Sequence, residues 1–320
     1  VTFTIGTNGD TIGSSTDDIL LSAATTIGGS SLGSVLFDEI EDIIVTLGTG
    51  GDTVVVLTPL GGTALSINTI TVNGGIGGDT VDAGLLTDNL EANSAVGIDF
   101  SGGDGNDTFI SGIGDDTFNG GANVDTVSYA AATSGVTVDL SASGVNATGG
   151  GGDDTLTFVE NVIGSQYADT ITGDSADIII TTGGGSDIIA GGDGTDKVIV
   201  TGGIADFVVT TGPSGTVILT GTGAYVGTVV TVAGDVENLE FSLNPGTVFD
   251  LDNPVLLLNS GGNIVSTFAT IQGAVNASAS GQIVQISAGT YEEQVVVNGK
   301  NISIVGAGDE ACQHLARPPL

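Results

Sequence analysis

Apolar residues along this chain come in short β-branched runs, and most of the clearest runs follow a cluster of glycine and aspartate. The stretch from Gly102 to Ser128, GGDGNDTFISGIGDDTFNGGANVDTVS, shows the pattern best. It divides into three nine-residue units with Asp107, Asp116 and Asp125 at the sixth place and Phe109, Phe118 and Val127 two places later. Each unit predicts a tight glycine turn followed by three or four residues of strand propensity. One such strand cannot bury its own apolar side chain, but stacked copies can. The pattern therefore predicts an all-β chain built as a parallel β-roll or β-solenoid.

The same signal recurs. GTGGDTVVV begins at Gly48, GGIGGDTVD at Gly74 and GGGGDDTLT at Gly149. A second cluster holds GSQYADTIT from Gly164, GDSADIIIT from Gly173, TGGGSDIIA from Thr182 and GGDGTDKVI from Gly191. Early spacing is wider: 27 residues separate Asp52 from Asp79 and 28 separate Asp79 from Asp107. Residues 1–100 accordingly read as a solenoid with larger, multi-strand coils, with residues 1–47 strand-rich but without a clean unit. Residues 101–200 form the nonapeptide block, interrupted by a spacer at 129–163 in which Val136, Val138 and Leu140 alternate as a strand. Residues 201–252 read as strands without Asp turns. Asn253-Pro254 marks a linker. Within 262–308, Phe268, Ile271 and Val275 are spaced as on a helix, and QIVQIS and EQVVVNGKNISIVG read as strands.

Charge narrows the function. The 320 residues include 55 Gly and 38 Asp+Glu against 3 Lys+Arg, a formal net charge of -35. Such a surface repels phosphate backbones and anionic lipid, which excludes nucleic acid as a partner, and it attracts cations. No apolar run approaches the roughly 18 residues of a membrane span. The opening VTFTIGTNGD lacks the features of a signal peptide, and the absence of Met suggests an excised fragment. Residues 309–320 break in composition, carrying Cys312, His314 and Arg317, and read as a non-native tail. Without them the chain has no thiol for disulfides or metal ligation.

Calcium is the cation that this chemistry suits. It takes six to eight oxygens at about 2.3–2.6 Å from carboxylates and backbone carbonyls, and Gly-rich turns with one Asp each offer both. Ligation by carboxylates without His or Cys favours calcium over zinc or copper. Stacked carboxylates without an ion repel, so the fold is expected to need the metal. The alternative is that Gly-Asp turns only punctuate a β-solenoid, and for the isolated unit Gly48–Asp52 both readings stand.

GGDGNDTFI resembles the Gly-Gly-x-Gly-x-Asp-x-U-x nonapeptide of the RTX (haemolysin-type) calcium-binding repeats. The segment from DTVSYAAATSGVTVDL to GSQYADTITGD is similar to the spacer between blocks in that family. The resemblance covers roughly residues 74–200. It implies a roll in which two nonapeptides complete one coil and calcium sits between a turn and the next but one, pairing Asp107 with Asp125 and Asp169 with Asp187. The implied metal-holding positions are Asp79; Gly102, Gly103, Gly105 and Asp107; Gly112, Gly114 and Asp116; Gly120 and Asp125; Gly149, Gly150, Gly152 and Asp154; Asp169; Asp177; Gly183, Gly185 and Asp187; and Gly191, Gly192, Gly194 and Asp196. The unit at Gly173 has its Asp one place early, and Ala122, Asn123 and Val124 depart from the glycine pattern. The resemblance also implies type I secretion and an extracellular or cell-surface location.

FATIQGAVNASASGQIVQISAGTYEEQVVVNGKNISIVGAG is similar to the opening of pectate-lyase-type right-handed parallel β-helices, with Gly289, Thr290 and Tyr291 at a turn. That likeness implies a truncated first coil and extends the range of partners to extracellular glycans. No catalytic residue is assigned. The single His and Cys lie in the tail, Glu292 and Glu293 read as solvated turn charges on opposite faces, and Glu160 and Glu237 stand in matching VEN tripeptides with a repeated structural role. Two readings follow: a calcium-folded region of an adhesin or surface-layer type protein, or the calcium-stabilised accessory part of a secreted lyase, epimerase or hydrolase.

Overall fold

The computed structural model describes residues 42–56, 69–86 and 96–306, with short strand segments at 2–4, 11–12, 19–20, 26–27 and 312–313. The fold is mostly strands, with one α-helix among the described residues, Ile271–Ala277. The chain divides into two compact units, Val1–Thr170 and Ile171–Leu320. The division falls inside the segment 101–200 that the sequence groups together.

The first unit is built on two parallel ladders. One runs in the order Thr2–Thr4, Asp42–Thr46, Thr69–Ile76, Gly97–Asp104, Thr117–Ala122, Thr155–Thr157. The other runs Thr11–Ile12, Thr53–Val55, Thr80–Asp82, Thr108–Ile110, Thr126–Ser128, Asn161–Ile163. Successive strands of the chain from Asp42 to Ser128 alternate between the ladders, so the nine-residue clock becomes an 18-residue register, Thr108 facing Thr126 and Phe100 facing Phe118. The wider early spacing is register too, since Thr53 faces Thr80 and Thr80 faces Thr108.

Most three-residue strands of this unit bury only the middle side chain, because neighbouring side chains point to opposite faces. Val54, Val81, Phe109, Val127 and Val162 form one buried column, and Val45, Val72, Phe100, Phe118 and Leu156 the other. The columns meet where Phe109 packs 5.7 Å from Phe118, which stacks on Phe100 at 5.2 Å. Burying each such ring contributes on the order of 1.5–3 kcal/mol. In the expected spacer, Val136–Asp139 pairs antiparallel with Ala147–Gly149, burying Val136 and Val138 and leaving Leu140 half-buried.

In the second unit Ile179–Thr181, Lys197–Val200 and Asn238–Phe241 pair in parallel. Ile188–Ala190 pairs in parallel with Val229–Val232, and the antiparallel strands Val217–Gly221 and Phe207–Thr211 follow it. A four-stranded sheet holds Ile264–Phe268, Val255–Leu258, Ile283–Ile286 and Ser303–Gly306. Its core takes in Val255 and Leu257, so it begins directly after Asn253-Pro254 and before residue 262.

The expected helix is present, with Ile271, Ala274 and Val275 buried and Thr270 accepting the Gly273 amide at 3.0 Å. Two expectations fail here. EQVVV is not a strand, because the Val296 backbone bonds to the Gln272 side chain, at 2.6 Å from its N–H and 3.2 Å to its carbonyl. Glu293 is not a solvated charge: its two oxygens accept the Ile271 and Gln272 amides at 2.7 and 2.8 Å, at the positive end of the helix. Of the tail, Cys312–Gln313 pairs with Gly289–Thr290, while His314 and Arg317 lie outside the described residues.

Candidate metal centre

Parallel register places the aspartates that precede the second ladder's strands one above another. Asp79 Oδ1 accepts the Asp52 amide at 2.8 Å, Asp107 Oδ1 the Asp79 amide at 2.7 Å, and Asp125 Oδ1 the Asp107 amide at 2.8 Å. Glu160 continues the row, its Oε2 accepting the Asp125 amide at 2.8 Å. The other oxygen, Oδ2, of Asp79, Asp107 and Asp125 is buried and meets no hydrogen-bond donor.

The first glycine of each unit keeps the space beside that oxygen clear. A Cβ on Gly74 would strike Asp79 Oδ2 and the Gly102 carbonyl, one on Gly102 would strike Asp107 Oδ2 and the Gly120 carbonyl, and one on Gly120 would strike Asp125 Oδ2 and the Phe158 carbonyl. Each level thus repeats one carboxylate oxygen beside one carbonyl oxygen, a donor set that suits a hard cation. Burial, assisted by neighbouring carboxylates, pushes Asp79 and Asp125 up to about 6, and burial raises Asp107 as well. Lys197, in the second unit, pairs with Glu240 at 3.2 Å.

The departures in the third unit are absorbed by the turn. Asn123 adopts φ +90°, at the place where Gly105 has +138° and Gly77 has +130°. Asparagine is among the few residues that tolerate positive φ. Asp125 stays fully buried.

Asp116 and Asp154 form a second row on the other ladder. Asp116 Oδ1 accepts the Ile98 amide at 2.8 Å and Asp154 Oδ1 the Asp116 amide at 2.9 Å. Their remaining oxygens face hydroxyls that the nine-residue pattern does not contain. Tyr129 donates to Asp154 Oδ2 at 2.8 Å, and Ser111 Oγ lies between the two carboxylates. Burial pushes Asp154 up to about 7 and Asp116 well above the usual carboxylate range.

Asp169 is held by protein donors, its Oδ1 accepting Val136 N at 2.9 Å and Ser165 Oγ at 2.6 Å, and its Oδ2 accepting Ser165 N at 2.7 Å. Its expected partner, Asp187, is buried in the second unit, with Gly183 and Gly185 at positive φ in the turn before it. Asp196 repeats the first row's arrangement. Its Oδ1 accepts Ile178 N at 2.9 Å, its Oδ2 is buried without a donor, and Gly191 leaves room beside that oxygen.

Asp177 stands apart from the buried carboxylates. It is exposed, and Ile178 occupies the buried place facing Asp196 in the register, because the unit's aspartate comes one residue early. Asp177 instead accepts the Thr195 amide at 2.8 Å, as exposed Asn106 accepts Val124 N at 3.2 Å and Asp115 accepts Asp153 N at 3.0 Å. The remaining expected glycines, Gly103, Gly149, Gly152, Gly192 and Gly194, take positive φ in their turns, while Gly112, Gly114 and Gly150 pack against backbone carbonyls at negative or extended φ.

Among the described residues no three acidic, imidazole or thiol groups converge, so an ion held on these rows would take at most two carboxylates and otherwise carbonyl or hydroxyl oxygens. No protein-family model matches the chain, and no curated protein matches it.

Proposed function

We propose that this chain is a calcium-binding β-roll from a secreted or cell-surface protein, and that it folds on meeting calcium outside the cell. The observation that carries this reading is the row Asp79–Asp107–Asp125, where one oxygen of each carboxylate holds a backbone amide and the other is buried beside a carbonyl with no donor. Asp79, Asp107 and Asp125 would hold the ions, with Gly102, Gly120 and Phe158 supplying carbonyls. Bound calcium would supply the positive charge that burial otherwise denies to these carboxylates. The resemblance of residues 74–200 to RTX repeats supports the same reading and adds type I secretion. Outside the cell such modules work at about 10⁻⁴–10⁻³ M calcium. Calorimetric titration of the chain with calcium tests it. Saturable binding that weakens in Asp107→Asn and Asp125→Asn is expected, and no binding heat would refute it.

A second reading rests on the four-stranded sheet, where Ile283–Ile286 pairs in parallel with Ser303–Gly306 beside a helix whose first turn is held by Glu293. With the likeness to pectate-lyase-type openings, this favours a glycan-active or glycan-binding β-helix whose accessory region is the calcium roll.

A further inference from the structure

Four Asn-Gly pairs occur in the chain: Asn8-Gly9, Asn73-Gly74, Asn119-Gly120 and Asn298-Gly299. The first lies outside the described residues. Asn73 and Asn119 sit in strands paired on both sides, Asn73 between Thr46 and Ser101, and Asn119 between Ser101 and Thr157. Their glycines are buried, and a Cβ on Gly74 or Gly120 would strike a neighbouring carbonyl. Asn298-Gly299 has none of this support. Both residues are exposed and lie in no strand or helix, and Gly299 takes φ +67° with open space where a Cβ would stand. Among the described residues no hydrogen bond holds the Asn298 side chain or the Gly299 amide.

This pair interrupts a strap tied to both ends of the helix Ile271–Ala277. At the first turn Glu293 accepts the Ile271 and Gln272 amides, and the Val296 backbone bonds to the Gln272 side chain. At the last turn Lys300 Nζ donates to the Val275 and Asn276 carbonyls, at 2.7 Å each. A cation there satisfies carbonyls that the helix leaves without partners and opposes the negative end of its dipole. Past Lys300 the chain is fixed again, the Asn301 carbonyl accepting the Gly281 amide at 2.6 Å. Asn298-Gly299 is thus an unanchored link between Val296 and Lys300.

An Asn-Gly pair carries its own chemistry. The Gly299 amide nitrogen, on losing its proton, attacks Asn298 Cγ. An N–Cγ bond forms, the Cγ–Nδ2 bond breaks, and the side-chain nitrogen takes up a proton and leaves as ammonia. Water then opens the five-membered imide at either carbonyl. One product is aspartate, and the other is β-aspartate, whose main chain passes through Cβ and Cγ. Neither step needs an oxidant or a cofactor. Glycine favours the attack because no side chain crowds its nitrogen. A strand opposes it by holding ψ at about +115 to +135°, whereas ring closure swings Cγ onto the following nitrogen.

We propose that Asn298 is a self-modifying site, and that its conversion to β-aspartate loosens the strap from the C-terminal end of the helix. Two changes act there. The β-linked chain is one backbone atom longer, and the new carboxylate stands two residues from Lys300, where it competes with the Val275 and Asn276 carbonyls for the ammonium. Asn73 and Asn119 carry the same dipeptide but are held by the ladders. The inference uses no metal and stands apart from the calcium reading.

Ageing the full chain in calcium at mildly alkaline pH tests it. Cleavage after glutamate at acid pH releases residues 294–310 for mass spectrometry, with Asn301 as a control inside the same peptide. Asn298 should convert at least about tenfold faster than Asn73 and Asn119, whose strands must first open. An isoaspartate-specific methyltransferase should label the product. In denaturant the three pairs should converge, because only the fold separates them. The Ser278 amide, which closes the helix on the Ala274 carbonyl at 2.9 Å, should exchange hydrogen faster in the aged chain. Lys300→Met should reproduce that faster exchange without ageing, and Asn298→Ser should neither convert nor lose protection. Equal conversion of Asn73, Asn119 and Asn298 in the folded chain would overturn the site. Exchange at Ser278 that neither ageing nor Lys300→Met changes would overturn the loosening, as would the same loss on ageing in Asn298→Ser.

Discussion

Asp125 reaches across one level of the ladder to accept the backbone amide of Asp107 at 2.8 Å, and leaves its second oxygen buried without a donor. The same carboxylate therefore stabilises the turn with one oxygen and destabilises it with the other. Which effect dominates depends on whether a cation is present. Asp107 repeats the arrangement toward Asp79.

That opposition predicts a change of sign. Asp107→Asn keeps an acceptor for the Asp79 amide but removes the buried charge. In chelator the variant should be more stable than the parent by about 1 kcal/mol or more, and in saturating calcium less stable. Denaturant titrations in the two buffers measure both. The same sign in both buffers would show that no cation acts at this row.

The parent fold should itself depend on calcium. Removing the ion leaves carboxylates stacked on successive levels, so chelator should abolish much of the far-UV β signal and millimolar calcium should restore it. A spectrum indifferent to chelator would refute the folding part of the proposed function.

Gly102 offers a steric check. Its Cβ would strike both Asp107 Oδ2 and the Gly120 carbonyl, so Gly102→Ala should cost about 1–3 kcal/mol in calcium and weaken binding. Gly144→Ala is the control. That glycine has φ +86° but open space around it, so only the local strain of about 1 kcal/mol is expected, with calcium affinity unchanged.

Much of this architecture is legible in the sequence because the register follows from spacing. The 27- and 28-residue intervals from Asp52 to Asp107 and the 18-residue interval from Asp107 to Asp125 are the ladder offsets themselves. What the pattern hides is which oxygens find protein donors. Ser111 and Tyr129 fall outside the Gly-Asp rule, and only their three-dimensional placement brings them to Asp154; the signal available was a serine where neighbouring units carry glycine. Asp177 lies off the buried row because a one-residue slip turns a side chain to the opposite face of a strand. EQVVV has strand propensity, but the Gln272 side chain takes its backbone bonds. Glu293 looks solvated from local sequence alone, since its partners, the amides of Ile271 and Gln272, lie more than twenty residues away.

Acid should affect the ion-free and ion-loaded chains in opposite directions. Asp79 and Asp125 are raised to about 6 in the fold, above their ordinary values, so the folded chain binds protons that the unfolded chain releases. In chelator, this contribution to stability is full below about pH 4 and is lost as pH rises through about 6. Residual structure in chelator should therefore increase on acidification from pH 7 to 5. In calcium, protons compete with the ion, and the midpoint of the calcium titration should move to higher concentration over the same interval. Stability in chelator that falls on acidification would contradict the assigned shifts.

The VEN tripeptides yield the last prediction. Asn161 faces Thr126 and Asn238 faces Lys197 in the parallel register, which puts Glu160 and Glu237 where an aspartate stands in the other levels. Both act alike: Glu160 accepts the Asp125 amide at 2.8 Å, and Glu237 accepts the Asp196 amide at 2.6 Å. Each therefore closes its row by satisfying the amide of a buried aspartate. Glu160→Ala or Glu237→Ala should cost about 1–3 kcal/mol by orphaning that amide. Aspartate stands at the same register place one level below, so Glu160→Asp should restore most of the loss, and Glu160→Gln, which keeps the acceptor, should cost less than about 1 kcal/mol. Hydrogen exchange at the Asp125 and Asp196 amides reads the contact directly. Faster exchange at Asp125 only in Glu160→Ala, and at Asp196 only in Glu237→Ala, is the expected pattern, while unchanged exchange in both would show that the glutamates do not close the rows.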